Sequence, residues 1–133
     1  MSTIKERYKL GYANSDFISG LTKWYNRLLD KTIKELTTED VIKMVRQNIL
    51  KDVALEKATE LFIENPYAGE FEDGELLSLI TSLEYKTYNA ENTEKVKGLI
   101  SALELSHIDF DWCTIAEKEK YSENLKSLKD IYF

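Results

Sequence analysis

The sequence predicts an all-α fold, a single compact domain of about six mostly antiparallel helices over residues 1–133. Three observations carry this. Chain breakers are scarce, with five glycines and one proline, while Leu, Lys and Glu abound. Apolar residues recur at helical spacing along most of the chain. Residues that cap helices stand before nearly every periodic stretch.

Residues 1–12 show no clear period and read as an irregular arm. Ser15 or Asp16 then predicts the N-cap of a helix that turns Ile18, Leu21, Tyr25 and Leu28 inward. In Leu36-Thr37-Thr38-Glu39-Asp40-Val41, Thr37 is placed to accept from the Asp40 N–H, and Leu36 and Val41 occupy the two staple positions. Asp40 is shorter than the usual Glu or Gln, which makes the reciprocal bond of the capping box the weaker half. Ile42, Val45 and Ile49 form the inward stripe of this helix.

Asp52 is expected to cap the next helix, with Leu55, Ala58 and Phe62 on one face and Ala54 and Leu61 beside it. Asn65-Pro66 ends it, because the residue before proline is pushed out of the α region. Residues 67–72 read as a loop, and Asp73 as the cap of a helix with Leu76, Leu77, Ile80 and Leu83 inward. Asn89 or Asn92 opens the next helix, where Val96, Leu99, Ile100 and Leu103 repeat without a gap. Thr114-x-x-Glu117 reads as a full capping box ahead of Tyr121, Leu125, Leu128 and Tyr132. The longest connection, Ser106 to Cys113, holds Phe110 and Trp112, which are expected to fold back over the core.

Eight Tyr, five Phe and two Trp exclude a disordered chain. The N-terminus has no apolar stretch of the secretory kind, and no apolar run approaches the roughly 20 residues that span a bilayer. Cys113 is the only cysteine, so nothing calls for an oxidising compartment. A soluble cytoplasmic protein is the expectation. Net charge is −6, and its distribution is uneven: residues 1–57 balance at +3 and 86–133 at −2, whereas 58–85 contain seven acids and no Lys or Arg. Such a window repels a phosphate backbone and attracts a basic protein. Direct nucleic-acid binding is therefore not expected, although an acidic helix face can also be simply solvated.

Catalytic apparatus is hard to find. His107 is the only histidine, and with Cys113 it offers two soft ligands where zinc needs three or four. A Cys–His catalytic pair would require the chain to fold back on itself and a third, orienting group. A buried or half-buried thiol beside a hydrogen-bonded histidine is the plainer expectation. Phosphate-cradling glycine motifs and nucleophile elbows are absent, and neither Glu70-Phe71-Glu72-Asp73 nor Asp109-Phe110-Asp111 matches a calcium loop. No cofactor or metal is expected. What remains is surface recognition. Around the loop Asn65 to Gly74, the aromatics Tyr67 and Phe71 lie among Glu70, Glu72, Asp73 and Glu75. Aromatics anchor interfaces and charges steer encounter, so these six side chains are the candidate binding residues. Phe71 is equally open to an inward placement, and Tyr67 less so.

The succession Trp24-Tyr25-Asn26, Leu28-Leu29, Leu36-Thr37, Asp40-Val41, Arg46-Gln47-Asn48-Ile49, Asn65-Pro66-Tyr67-Ala68-Gly69-Glu70 and Asp73-Gly74-Glu75-Leu76-Leu77 resembles the helical immunity proteins of bacterial contact-dependent growth inhibition systems. Asp109-Phe110-Asp111-Trp112 and the following Glu117-Lys118-Glu119 helix are similar to that family's tail. The resemblance implies a cytoplasmic protein that binds the C-terminal toxin domain delivered by neighbouring cells and masks its active or substrate-binding surface. Many such toxins are nucleases with a basic groove, which an acidic window suits. It also implies scaffold roles. Arg46 would pair with Glu70 or Glu75, Gln47 and Asn48 would satisfy backbone groups of the 65–74 loop, and Gly69 would supply positive φ or a close approach. The alternative is a helical adaptor for a basic partner unrelated to toxins.

Overall fold

Helix starts depend on side chains or turns that satisfy the free N–H groups of a first turn. The computed structural model describes residues 2–12 and 20–133, and among these it shows seven α-helices and no strand. They are α1 (Ile4–Tyr8), α2 (Gly20–Leu29), α3 (Thr38–Arg46), α4 (Lys51–Glu64), α5 (Glu75–Ser82), α6 (Ala90–Ser106) and α7 (Ile115–Tyr132). Short 3-10 turns occupy Ile33–Glu35 and His107–Asp109.

The arm expected at residues 1–12 contains α1, which is too short to show a period but carries a complete Thr3–Glu6 capping box. Its Ile4 is buried, and the Ile4 N–H donates to the Lys31 carbonyl at 2.8 Å. The expected cap at Ser15 or Asp16, and Ile18, lie outside the described residues. On α2 the buried residues are Trp24, Leu28 and Leu29, while Leu21 is 47% exposed and Tyr25 half-buried. The helix is rotated from the expected stripe because Trp24 is drawn inward by a hydrogen bond to Asp40.

The Thr37–Asp40 box is complete despite the short aspartate, with the Asp40 N–H donating to Thr37 Oγ1 (3.2 Å) and the Thr37 N–H to Asp40 Oδ2 (3.0 Å). By contrast, Thr114 Oγ1 accepts from the Glu117 N–H, but the return bond is not made and Glu117 Oε2 is buried without a hydrogen-bond partner. Along α3 the buried apolar positions are Val41, Ile42 and Met44, with Val45 and, just past the helix, Ile49 half-buried.

Two further caps differ from expectation. Asp52 is an exposed first-turn residue of α4, where its charge suits the helix dipole. The cap position is Leu50, because the tight Gln47–Leu50 connection reverses through two left-handed residues, Asn48 (φ 54°) and Leu50 (φ 46°). At α5 the cap is Gly74 (φ 80°), not Asp73. A Cβ on Gly74 would stand 2.6 Å from the Tyr121 ring, so close packing and backbone conformation both demand glycine. Leu83, expected inward, sits at the C-terminal end of α5 and is 37% exposed.

Helix α4 packs against α3, α5 and α6, and α7 packs against α5 and α6. Phe62, Leu76, Leu77, Ile80, Ile100 and Leu128 meet in a continuous apolar core. One carboxylate enters it. Asp40 is 4% exposed and accepts from Trp24 Nε1 (3.0 Å), Lys31 Nζ (2.6 Å) and Thr37 N–H, which joins α2, the 30–37 connection and α3. Burial opposes its charge, but the hydrogen bonds from Lys31, Thr37 and Trp24 outweigh it and hold the carboxyl below its usual 3.8. Glu56 of α4 plays a similar part for the α5–α6 connection, accepting from Tyr85 and Thr87 hydroxyls and Asn92 Nδ2.

Replacing Asp40 with Asn should cost about 2–3 kcal/mol, because Lys31 loses its charged partner and the Thr37 cap is weakened. Since the folded-state pKa is depressed, the carboxylate's contribution is full above 3.8 and is lost as pH falls through the lower folded value. Denaturant titrations should therefore show the wild-type advantage over Asp40→Asn shrinking below about pH 4.

Candidate functional site

The loop between α4 and α5 is shaped from both ends. Asn65 leaves the helix in extended conformation (φ −143°), and its Oδ1 accepts from the Tyr67 N–H at 3.2 Å, a local turn of the kind asparagine favours. Tyr67 and Ala68 carbonyls then accept from the Gly74 and Leu76 N–H groups at 2.8 and 3.1 Å. The deciding contact is Glu75. Its Oε1 accepts from the backbone N–H groups of Glu70 (2.7 Å) and Phe71 (3.2 Å), and its Oε2 lies 3.4 Å from Arg46 Nη2. Arg46 Nη1 also faces Glu70 Oε2 at 3.9 Å. Gly69 meets the expectation of close approach: a Cβ there would collide with the Glu72 carbonyl oxygen and sit 2.8 Å from Glu75 Cβ.

The structure thus sorts the six candidate residues. Glu70 and Glu75 have side chains only 12% and 15% exposed and belong to the brace. Phe71 is 77% exposed, and Glu72 and Asp73 are exposed beside it. Glu72 reaches across to Lys120 of α7 at 3.2 Å. Tyr67 is the inward aromatic, the reverse of its expected order with Phe71. It stacks on Phe110 (ring centroids 3.9 Å apart, planes at 17°) and meets Trp112 edge-on at 5.6 Å and Tyr121 at 5.3 Å. Tyr121 also donates its hydroxyl to the Pro66 carbonyl at 3.0 Å, and burial pushes that hydroxyl's pKa well above the usual tyrosine value.

Arg46 pairs as expected. Gln47 and Asn48 do something different: Gln47 ends α3, and Asn48 supplies the left-handed turn residue, a role for which asparagine is suited. The backbone groups assigned to them are held by Glu75 instead. Phe110 and Trp112 do fold back, and Trp112 donates its indole N–H to the His107 carbonyl at 2.8 Å. That these two rings and Tyr121 would prop Tyr67 had no sequence signal beyond their being aromatic.

His107 is buried, with Nδ1 2.7 Å from the Leu103 carbonyl and Nε2 2.7 Å from Ser122 Oγ, so both ring nitrogens are engaged. Cys113 is exposed, which corrects the expected buried or half-buried thiol; it follows Trp112 in the connection and faces outward as that ring turns in. Among the described residues no group of three or more His, Cys, Asp or Glu could hold a metal ion, and no helix is long and apolar enough to cross a membrane.

Fold and site together define an all-helical protein that displays an acidic, aromatic loop on a rigid brace. Residues 9–98 match the family of CDI immunity proteins, the immunity proteins of contact-dependent growth inhibition, and the chain belongs to that family. The matched stretch contains α2 to α5, the brace and the whole 65–74 loop, and ends within α6. No curated protein and no solved structure matches the chain.

Substituting Glu75 with Ala should release the loop while leaving the helices formed. Amide exchange at Glu70 and Phe71 should accelerate by about tenfold or more, with a global loss of about 1–2 kcal/mol in denaturant titration.

Proposed function

We propose that this immunity protein neutralises its cognate toxin by occlusion, laying the braced acidic loop over a basic, substrate-binding surface of the toxin's C-terminal domain. A nuclease is the target class that fits best. A nuclease must hold phosphates with Lys and Arg, and carboxylates presented in their place compete for the same groups. The observation that carries this is the outward set Phe71, Glu72 and Asp73, held by Glu75 within a 28-residue window free of Lys and Arg, 58–85. Phe71 supplies an apolar anchor and the carboxylates steer approach. Tyr67, Glu70 and Glu75 act behind them by fixing the loop. No step of this function needs catalysis by the chain, and its place of action is the cytoplasm, where an incoming toxin reaches its substrate.

The test is binding of the full chain to the C-terminal toxin domain of its cognate secreted protein, sought in the gene immediately upstream. A tight 1:1 complex is expected, with an association rate that falls as salt rises. Glu72→Lys with Asp73→Lys should slow association by about tenfold at low salt. Unchanged association in that variant would remove the acidic loop from the interface. Killing of chain-expressing cells by that same domain would overturn the pairing altogether.

A further inference from the structure

Apolar side chains left in water are unremarkable singly and meaningful when gathered. Among the described residues three large apolar side chains stand in water within eleven positions of the chain: Leu105 in the last turn of α6 (83% exposed), Ile108 in the 3-10 turn (55%) and Ile115 at the start of α7 (76%). Nothing in the core requires these three to be large and apolar. The same stretch carries the exposed carboxylates Asp109 and Asp111. It is also joined to the acidic loop, because Phe110 stacks on Tyr67 and Trp112 packs against the same ring. Phe71, itself exposed, lies on the loop that this stack holds.

We infer that the α6–α7 connection with the helix ends that flank it, Leu105 to Ile115, is the second half of the toxin-binding surface and the part that discriminates between partners. This rests on the occlusion proposed above, and its occupant is the same toxin domain, presenting an apolar spot within a basic surround. The two surfaces act over different ranges, and this separates their roles. Carboxylates attract any basic surface over a range of about 8 Å at physiological salt, which speeds encounter without choosing finely. Apolar contact gains nothing until shapes meet, so it separates a matching partner from a merely basic one. The stacked Tyr67 and Phe110 hold the two surfaces in fixed relation, so a partner drawn in by the loop arrives against the connection.

The experiment compares association and dissociation rates of three full-length proteins with the same toxin C-terminal domain: wild type, Leu105→Gln/Ile108→Gln/Ile115→Gln, and Glu72→Lys/Asp73→Lys. The two variants replace five exposed positions, the apolars Leu105, Ile108 and Ile115 and the carboxylates Glu72 and Asp73, and helical content and melting temperature confirm folding; Ile115→Gln alone serves if the triple variant does not fold. The apolar variant should dissociate on the order of tenfold to a hundredfold faster, with association and its salt dependence unchanged. Dissociation at the wild-type rate overturns the inference, and if the charge variant still associates slowly the loop proposal stands without it. Faster dissociation of the apolar variant beside an unaffected charge variant supports the connection and removes the loop. Absence of binding by wild type overturns both.

Discussion

The candidate surface depends on one carboxylate. Glu75, in the first turn of α5, divides its two oxygens between the loop backbone and Arg46. Without it, the acidic stretch 70–73 would be a chain of like charges with little reason to adopt one path. With it, Glu70 is drawn under the loop, Gly69 passes against the Glu72 carbonyl, and Phe71 is turned out. A loop already held in shape loses less entropy on binding than a mobile one, so the brace favours affinity without touching a partner.

Carboxylates do three separate jobs in this chain, and environment decides which. Asp40 is buried and hydrogen-bonded by three donors, and it ties the N-terminal helices together. Glu56 collects two hydroxyls and an amide, tying α4 to the start of α6 and the segment before it. Glu70 and Glu75 support the loop, and Glu72 and Asp73 meet solvent. Net charge counts all of them alike, but of the loop carboxylates only Glu72 and Asp73 face outward, and Glu72 also pairs with Lys120. The acidic window is therefore smaller in effect than in sequence.

Aromatic residues show the same division. Tyr67 and Phe71 are four apart in one loop and face opposite ways, because Phe110, Trp112 and Tyr121 offer a ring-lined site to one of them only. Those three rings come from the α6–α7 connection and from α7, more than forty residues along the chain from Tyr67. Through them the C-terminal third of the chain shapes an acidic loop whose residues are all in the middle third.

By itself the sequence determined six of the seven helices found among the described residues, their approximate limits and the family; α1, within what reads as an irregular arm, is too short to show a period. Helical period and capping are local properties, and the motifs Arg46-Gln47-Asn48-Ile49 and Asn65-Pro66-Tyr67-Ala68-Gly69-Glu70 are contiguous. It also located the acidic loop, and the family resemblance implied an Arg46 pairing with Glu70 or Glu75, of which the structure shows both. Tertiary structure decided the rest. Asp52 and Asp73 were plausible caps by residue type, yet Leu50 and Gly74 hold those positions because a tight reversal and the Tyr121 ring impose left-handed backbone there. The short Asp40 completed its box because Trp24 and Lys31 hold it in place, whereas Glu117 did not complete its own. Which of Tyr67 and Phe71 turns outward depends on rings distant in sequence. Contacts between residues far apart in the chain leave no periodic trace, so they become visible only when the chain is folded.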